Sequence, residues 1–366
     1  MSAETIATIW AFLIATAVFL YVVMDGFDLG IGILFPWMQD REDRDIAVNT
    51  VAPVWDGNET WLILGGGGLF AVFPLAYATI LPALYMPLIV MLLALVFRGV
   101  AFEMRFRAES DSQRRFWDWS FSGGSIAAAF TQGIALGALV QGIQVEDRAY
   151  AGGWWDWLTA YSLFTGVALV AGYGLLGASW LVWKTEGGLQ ERARDLARVL
   201  GLVTLLFIAA VSAIMPFLLP EFRARWFSFP TILLALPVPV LLVLLAVRFF
   251  RALEPTPARE AEAARAPDPR LPPEAPPRPT GRVIWHDSVP FFCALGFFLL
   301  SYVGLGISMW PLIVPPEITI WDAAAPASTQ LFLLVGAAVL LPIILAYTGY
   351  VYWIFRGKVR AGEGYH

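Results

Sequence analysis

The sequence predicts an all-α integral membrane protein with about nine transmembrane helices, and three observations carry that prediction. Of its 366 residues, 58% are hydrophobic and only 14% charged, with a mean hydropathy of +0.68; a soluble domain carries roughly 25% charged residues. Apolar runs long enough to cross a bilayer, about 20 residues each, recur along the chain instead of standing once at an end. The basic residues fall almost entirely into alternate loops, as a membrane topology requires.

Taken in order, the spans are expected near residues 6–37, 57–77, 80–104, 120–143, 159–183, 196–219, 228–250, 288–313 and 329–355. The first is expected to stay in the mature protein, because MSAETIATIW carries an acid, no basic region and no small-residue cleavage pattern. Only a short apolar turn, Phe73-Pro74 to Leu81-Pro82, separates the second from the third. Residues 1–366 read as a single polytopic membrane domain, interrupted by a flexible loop at 254–282. That stretch is dense in proline and alanine and lacks the apolar surface to offset ordering.

Nine spans put the termini on opposite sides. One set of loops and the C-terminus hold 21 of the 24 basic residues, and the opposite set holds only Arg148, Arg223 and Arg225. The positive-inside rule then places the N-terminus outside and the C-terminus in the cytoplasm. Tryptophans in Gly152 to Trp157 and at Trp226 stand where indoles anchor in headgroups. The lone cysteine, Cys293, reads as a small buried hydrophobe. Leu29-Gly30-Ile31-Gly32 in the first span is echoed by Leu305-Gly306-Ile307-Ser308 in the eighth, a faint sign of duplication.

Charges inside spans are costly and therefore informative. In Met24-Asp25-Gly26-Phe27-Asp28-Leu29-Gly30-Ile31-Gly32, helical spacing puts Asp25, Asp28, Gly32 and Phe35 near one face, with glycines that allow a close neighbour. Such an acid pair either seals a helix interface or handles protons. At the start of the second span, Asp56 and Glu59 flank Asn58 with the spacing of a capping box, at a mouth open to cytoplasmic protons. At the end of the third, Glu103 precedes Arg107 by four residues, an ion-pair spacing, and Arg98 lies deepest, best placed to meet Asp28 or Asp56. Gly65 to Gly68 is followed by no Lys-Ser or Lys-Thr, so it reads as a helix-packing surface and not a phosphate loop.

Only two histidines are present, His286 and His366, and neither lies in an expected span. Haem iron is usually held by His, Cys or Met. A haem-copper centre needs several histidines converging inside the membrane, so the count argues against that class, and any redox cofactor is expected in a partner.

The order MDGFDLGIG, NTVAPVWDGNETWLILGGGGLFAVFPLAYA, FRGVAFEMRFR and a late SMWP followed by TIWDAA resembles subunit II of cytochrome bd-type quinol oxidases. The resemblance is dense from Tyr21 to Arg107 and returns around Trp310 to Gln330. It implies two four-helix bundles plus one peripheral helix, in a bacterial inner-membrane complex that oxidises quinol and reduces O2 to water. It further implies a haem-bearing subunit I as partner, holding two haems b and one haem d, with none ligated by this chain. Small single-helix subunits, the lipid bilayer and the quinol pool complete the expected partners, and no nucleic acid is among them. On this reading Asp25, Asp28, Asp56 and Glu59 line a proton pathway supported by Asn58, Arg98, Glu103 and Arg107, and the chain has no active site of its own. The rival is a proton-coupled secondary transporter with Asp25 and Asp28 as its coupling site.

Overall fold

The first helix, α1 (Ala3–Leu34), opens on Ser2, whose Oγ accepts from the Thr5 N–H at 3.2 Å. Its 32 residues rise about 48 Å, well beyond the roughly 30 Å hydrocarbon core, so it projects past the apolar layer. The computed structural model describes residues 2–38, 40–254 and 281–360. After α1 come α2 (Arg41–Asn49), α3 (Trp55–Val72), α4 (Pro74–Ala83), α5 (Tyr85–Met104), α6 (Asp111–Gln141), α7 (Ala160–Lys184) and α8 (Gly187–Ile214). The chain continues through the short α9 (Pro220–Phe227) and α10 (Ile232–Ala235) to α11 (Pro237–Ala252), α12 (Gly281–Met309) and α13 (Ala327–Ile354). Two small antiparallel ribbons, Val145–Glu146 with Ala149–Tyr150 and Leu312–Val314 with Ile318–Thr319, lie between spans. Local chemistry sets the breaks. Pro74 starts α4 where its missing N–H costs nothing, Gly142 leaves α6 at φ +99°, and a Thr159/Ser162 capping box starts α7.

Among the described residues, eight helices are long and apolar enough to cross a membrane, one fewer than expected. The exception is α3, whose Asp56, Asn58, Glu59 and glycine run dilute its hydropathy. It nevertheless runs antiparallel along α1, with Asn58 beside Asp28, Gly65 against Val18 and Gly68 against Ile14. The expected loop at 254–282 falls, over 255–280, outside the described residues, but its last two residues already belong to α12, which starts well before 288.

The first bundle comprises α1, α3, α5 and α6, in which α1 packs on α3 and α6, and α6 on α5. The second repeats the scheme: α7 packs on α8 and α12, and α12 on α11. The counterpart of α1 is therefore α7, so the echo between residues 29–32 and 305–308 does not mark the repeat. Gly306 meets nothing within 4 Å, whereas Gly30 lies against Gly177 of α7, backbone on backbone. A Cβ on Gly30 would sit 2.1 Å from Tyr173 O and 2.7 Å from Gly177 N. Gly133 against the backbone of Thr165 and Gly166 closes the α6–α7 contact in the same way, and Gly32 makes room for the Ser125 side chain between α1 and α6. In the glycine run, Gly65 and Gly68 pack on α1, but Gly66 and Gly67 face open space. The apolar stretch of α13 buries none of its residues within the chain, which makes it the peripheral helix.

The two ends of the bundle differ in charge as the loops foretold. At the end where α1 finishes, Arg105, fully buried, bonds Asp45 at 2.9 Å and Asp118 at 3.0 Å; Arg114 joins Asp45 at 2.6 Å and Arg44 joins Asp118 at 2.9 Å. These arginines do more than snorkel, since they tie α2 to the ends of α5 and α6. At the opposite end Trp154 and Trp155 are exposed, as anchors should be, but Trp226 donates to Ser308 Oγ at 2.7 Å and is half-buried. Cys293 is buried.

Candidate functional site

Three helices bring the charged groups together. Arg98 points from α5 into the bundle, about 10 Å short of the helix end marked by Arg105, and is 0% exposed. Its Nη1 lies 2.6 Å from Glu59 Oε1 on α3 and 3.2 Å from Asp25 Oδ1 on α1. Its guanidinium also stands 5.9 Å from the Trp55 ring. One turn along α1, Asp28 accepts from Asn58 Nδ2 at 2.7 Å. Asn58 Oδ1 in turn accepts from the Tyr352 hydroxyl of α13 at 2.9 Å. Asp25, Asp28 and Asn58 are each at most 1% exposed, while the Glu59 side chain keeps 28% and marks the opening of the cluster. Asp28 Oδ1 and Arg98 Nε and Nη2 have no hydrogen-bond partner among the described residues; buried groups of this kind are normally met by ordered water.

The structure thus joins Asp25, Asp28, Asn58, Glu59 and Arg98 and leaves three expected residues apart. Arg98 pairs with Asp25 and Glu59, not with Asp28 or Asp56 as anticipated. The capping box does not form: Val54 holds the N-cap position, Asp56 lies exposed in the first turn, and Glu59 turns inward to the guanidinium. Asp56 still sits at the positive end of the helix dipole. Glu103 and Arg107 form an exposed pair at 3.9 Å, 45% and 73% exposed. Such pairs contribute about 0–1 kcal/mol, so Glu103→Ala should leave the thermal unfolding temperature and the turnover unchanged; a drop of several degrees would mean that the pair is buried in the assembled protein.

Sequence reading missed four members of the site's surroundings. Apart from Tyr352, they form a polar chain from the first bundle to the second: Gln132 Nε2 donates to Tyr21 Oη and Tyr173 Oη donates to Gln132 Oε1, both at 2.7 Å. Tyrosines and a glutamine in apolar helices look like ordinary interface residues, and only their meeting sets them apart. The cluster's donors are carboxylates, an amide, a guanidinium and phenols already engaged in hydrogen bonds, a set that does not fit haem iron. His286, the one histidine among the described residues, stands in the first turns of α12.

Two helix bundles, a peripheral helix and a charged cluster buried against the first span define a polytopic membrane protein with charged side chains buried between its helices. Within that class, the model for cytochrome bd terminal oxidase subunit II matches residues 6–355, and the chain belongs to this family. It is 30% identical over 394 aligned residues to subunit 2 of cytochrome bd-I ubiquinol oxidase from Escherichia coli strain K12, covering 97% of this chain and 96% of that one. It is 35% identical over 210 residues to cytochrome bd ubiquinol oxidase subunit 2 of Bacillus subtilis strain 168, covering 56% and 62%. A chain of the bd oxidase from Geobacillus thermodenitrificans shares the fold, with a TM-score of 0.70 at 17% identity over 96% of this chain and 98% of that one. Family and spans together make this a multi-pass protein of the bacterial inner membrane. They also decide against the secondary transporter.

Proposed function

We propose that this chain handles protons for a cytochrome bd quinol oxidase, of which it is subunit II, while a haem-bearing subunit I performs the redox chemistry. The observation that carries the reading is the buried cluster. Three carboxylates, Asp25, Asp28 and Glu59, share the cluster with one guanidinium, Arg98, which pairs with Asp25 and Glu59 while Asp28 bonds Asn58. One cation does not neutralise three acids in a low-dielectric interior, so the group takes up and releases protons as a unit. The partly exposed Glu59 faces the end of the bundle that carries most of the basic residues, which the positive-inside rule assigns to the cytoplasm. Asp56, exposed one turn earlier, serves as the entry group.

On this reading the two haems b and the haem d belong to subunit I, and quinol binds there as well. When O2 is reduced to water, the haem site consumes protons, and this chain's acids shorten their passage through the membrane. Arg98 keeps the acids from repelling one another, and the surrounding helices exclude bulk water from Asp25 and Asp28. Small single-helix subunits are a compatible addition to the complex.

Asp25→Asn in the purified two-subunit complex is expected to lower O2 consumption per haem at least about tenfold, with the KM for quinol and the haem spectrum unchanged. Asp56→Asn should slow turnover in the same way. Wild-type turnover in the Asp25 variant would end the proton-handling reading, and full turnover with Asp56→Asn would take that residue out of the path.

A further inference from the structure

Although α13 buries none of its apolar stretch, its final turns reach the cluster through Tyr352. An amide side chain has one accepting and one donating end. The phenol that donates to Asn58 Oδ1 therefore fixes which way the amide points, and its Nδ2 is turned to Asp28 Oδ2 at 2.7 Å and Met24 O at 3.4 Å. A helix with so little packed surface cannot hold a ring in register by packing alone. Something else must set its height and rotation.

The residues just past α13 supply that restraint. Lys184, the last residue of α7, donates from Nζ to Phe355 O at 2.5 Å and Gly357 O at 3.1 Å, the carbonyls that end α13. Lys358 answers by donating to Thr185 O at 2.8 Å, just past the end of α7, and the Val359 N–H donates to Lys184 O at 2.8 Å. Each lysine thus caps the other helix's negative end. Lys358 also pairs with Asp287 of α12 at 2.7 Å, and Asp287 is held by Arg194 at 3.2 Å and Gln190 at 2.9 Å, both on α8. With Asp287 1% and Lys358 6% exposed, this is a buried fastening and not a surface pair, and Arg360 with Glu186 at 3.1 Å closes its rim.

We propose that residues 355–360 form a latch that fastens the peripheral helix to the second bundle, and that Tyr352, held by this latch, is a positioning residue for the Asp28 carboxylate through Asn58. The proposal rests on the proton-handling reading above and adds that the second bundle sets the geometry of an acid in the first. Tyr352 touches no reacting atom in this scheme. Its work is to keep one acid aimed.

The test uses the intact complex carrying Tyr352→Phe, which keeps the ring against Trp180 (centroids 6.4 Å apart) and removes only the hydroxyl. Expected are unchanged haem content and quinol KM, a turnover per haem lowered about three- to tenfold, the size of one lost hydrogen bond, and a larger solvent deuterium isotope effect. Lys358→Ala should reproduce the loss and Lys358→Arg restore most of it. Asp28→Asn is measured alongside. If Asp28→Asn slows turnover but Tyr352→Phe and Lys358→Ala run at the wild-type rate per haem, the positioning role is overturned and the proton reading stands. If Asp28→Asn itself runs at the wild-type rate, Asp28 leaves the proton path and the positioning role goes with it. Lower haem yield with unchanged turnover per haem would reduce the latch to an assembly element and overturn the proposal.

Discussion

Replacing Arg98 by leucine is expected to prevent accumulation of a folded, haem-loaded oxidase. The substitution removes the only cation among the described residues that the cluster's carboxylates contact and leaves the buried Asp25 without its counter-charge. Breaking one side of a buried ion pair costs about 3–5 kcal/mol, a large part of the roughly 5–15 kcal/mol that holds a typical protein folded. Arg98→Lys should assemble in part, because an ammonium keeps the charge but not the planar guanidinium, whose Nη1 stands between Asp25 and Glu59. The informative companion is a triple variant with leucine at 25, 59 and 98: replacing the guanidinium together with the two acids it pairs with, while Asp28 keeps its bond to Asn58, should restore haem content while turnover stays lost. Haem per milligram of membrane protein and thermal unfolding in mild detergent decide the matter. Normal haem content in Arg98→Leu alone would show that the cluster does not depend on its cation.

The second large effect is expected at Gly30. A leucine there would drive its Cβ to 2.1 Å from Tyr173 O and 2.9 Å from Gly177 Cα, and the obstacles are backbone, which cannot rotate aside as a side chain can. Overfilling a core costs about 1–3 kcal/mol when neighbours relax. Here α1 and α7 must separate, so the cost should exceed that range and the two bundles should lose their contact. The expected result is loss of a monodisperse complex on size-exclusion chromatography. Gly66→Leu serves as the control, since a Cβ at Gly66 meets nothing within 4 Å; it should assemble normally unless a partner subunit covers that face of α3. Equal behaviour of the two variants would refute the close backbone contact as the join between bundles.

Both predictions concern features that were half legible in the sequence. The motif around Asp25 to Gly32 announced acids and close packing together, and both occur. The pairing of Arg98 was misread because helical spacing tells which residues share a face but not which face meets which neighbour. Asp28 and Asp56 were the expected partners, but Asn58 of α3 occupies Asp28 and the guanidinium meets Asp25 instead. Asp56 and Glu59 looked like a cap because capping geometry and a buried acid can share one spacing; the start of α3 at Trp55 separates them. The repeat was sought between residues 29–32 and 305–308, but it is a repeat of helix pairing that the sequences of α1 and α7 scarcely share.

By itself the sequence determined the material, the order of the spans and the charge difference between the two ends, while it counted α3 as a ninth span that is less apolar over a span's length than the other eight. A lipid environment forces each segment to satisfy its own backbone hydrogen bonds, so helices can be read one at a time from length, hydropathy and loop charge. Only the tertiary structure decided which carboxylates share Arg98, that Tyr352 arrives from nearly 300 residues away to orient Asn58, and that two lysines fasten α13 to α7. Those outcomes depend on how each helix is rotated about its axis and how far it is shifted along its neighbours. Close contacts such as Gly30 on Gly177 set both quantities, and no single segment carries them.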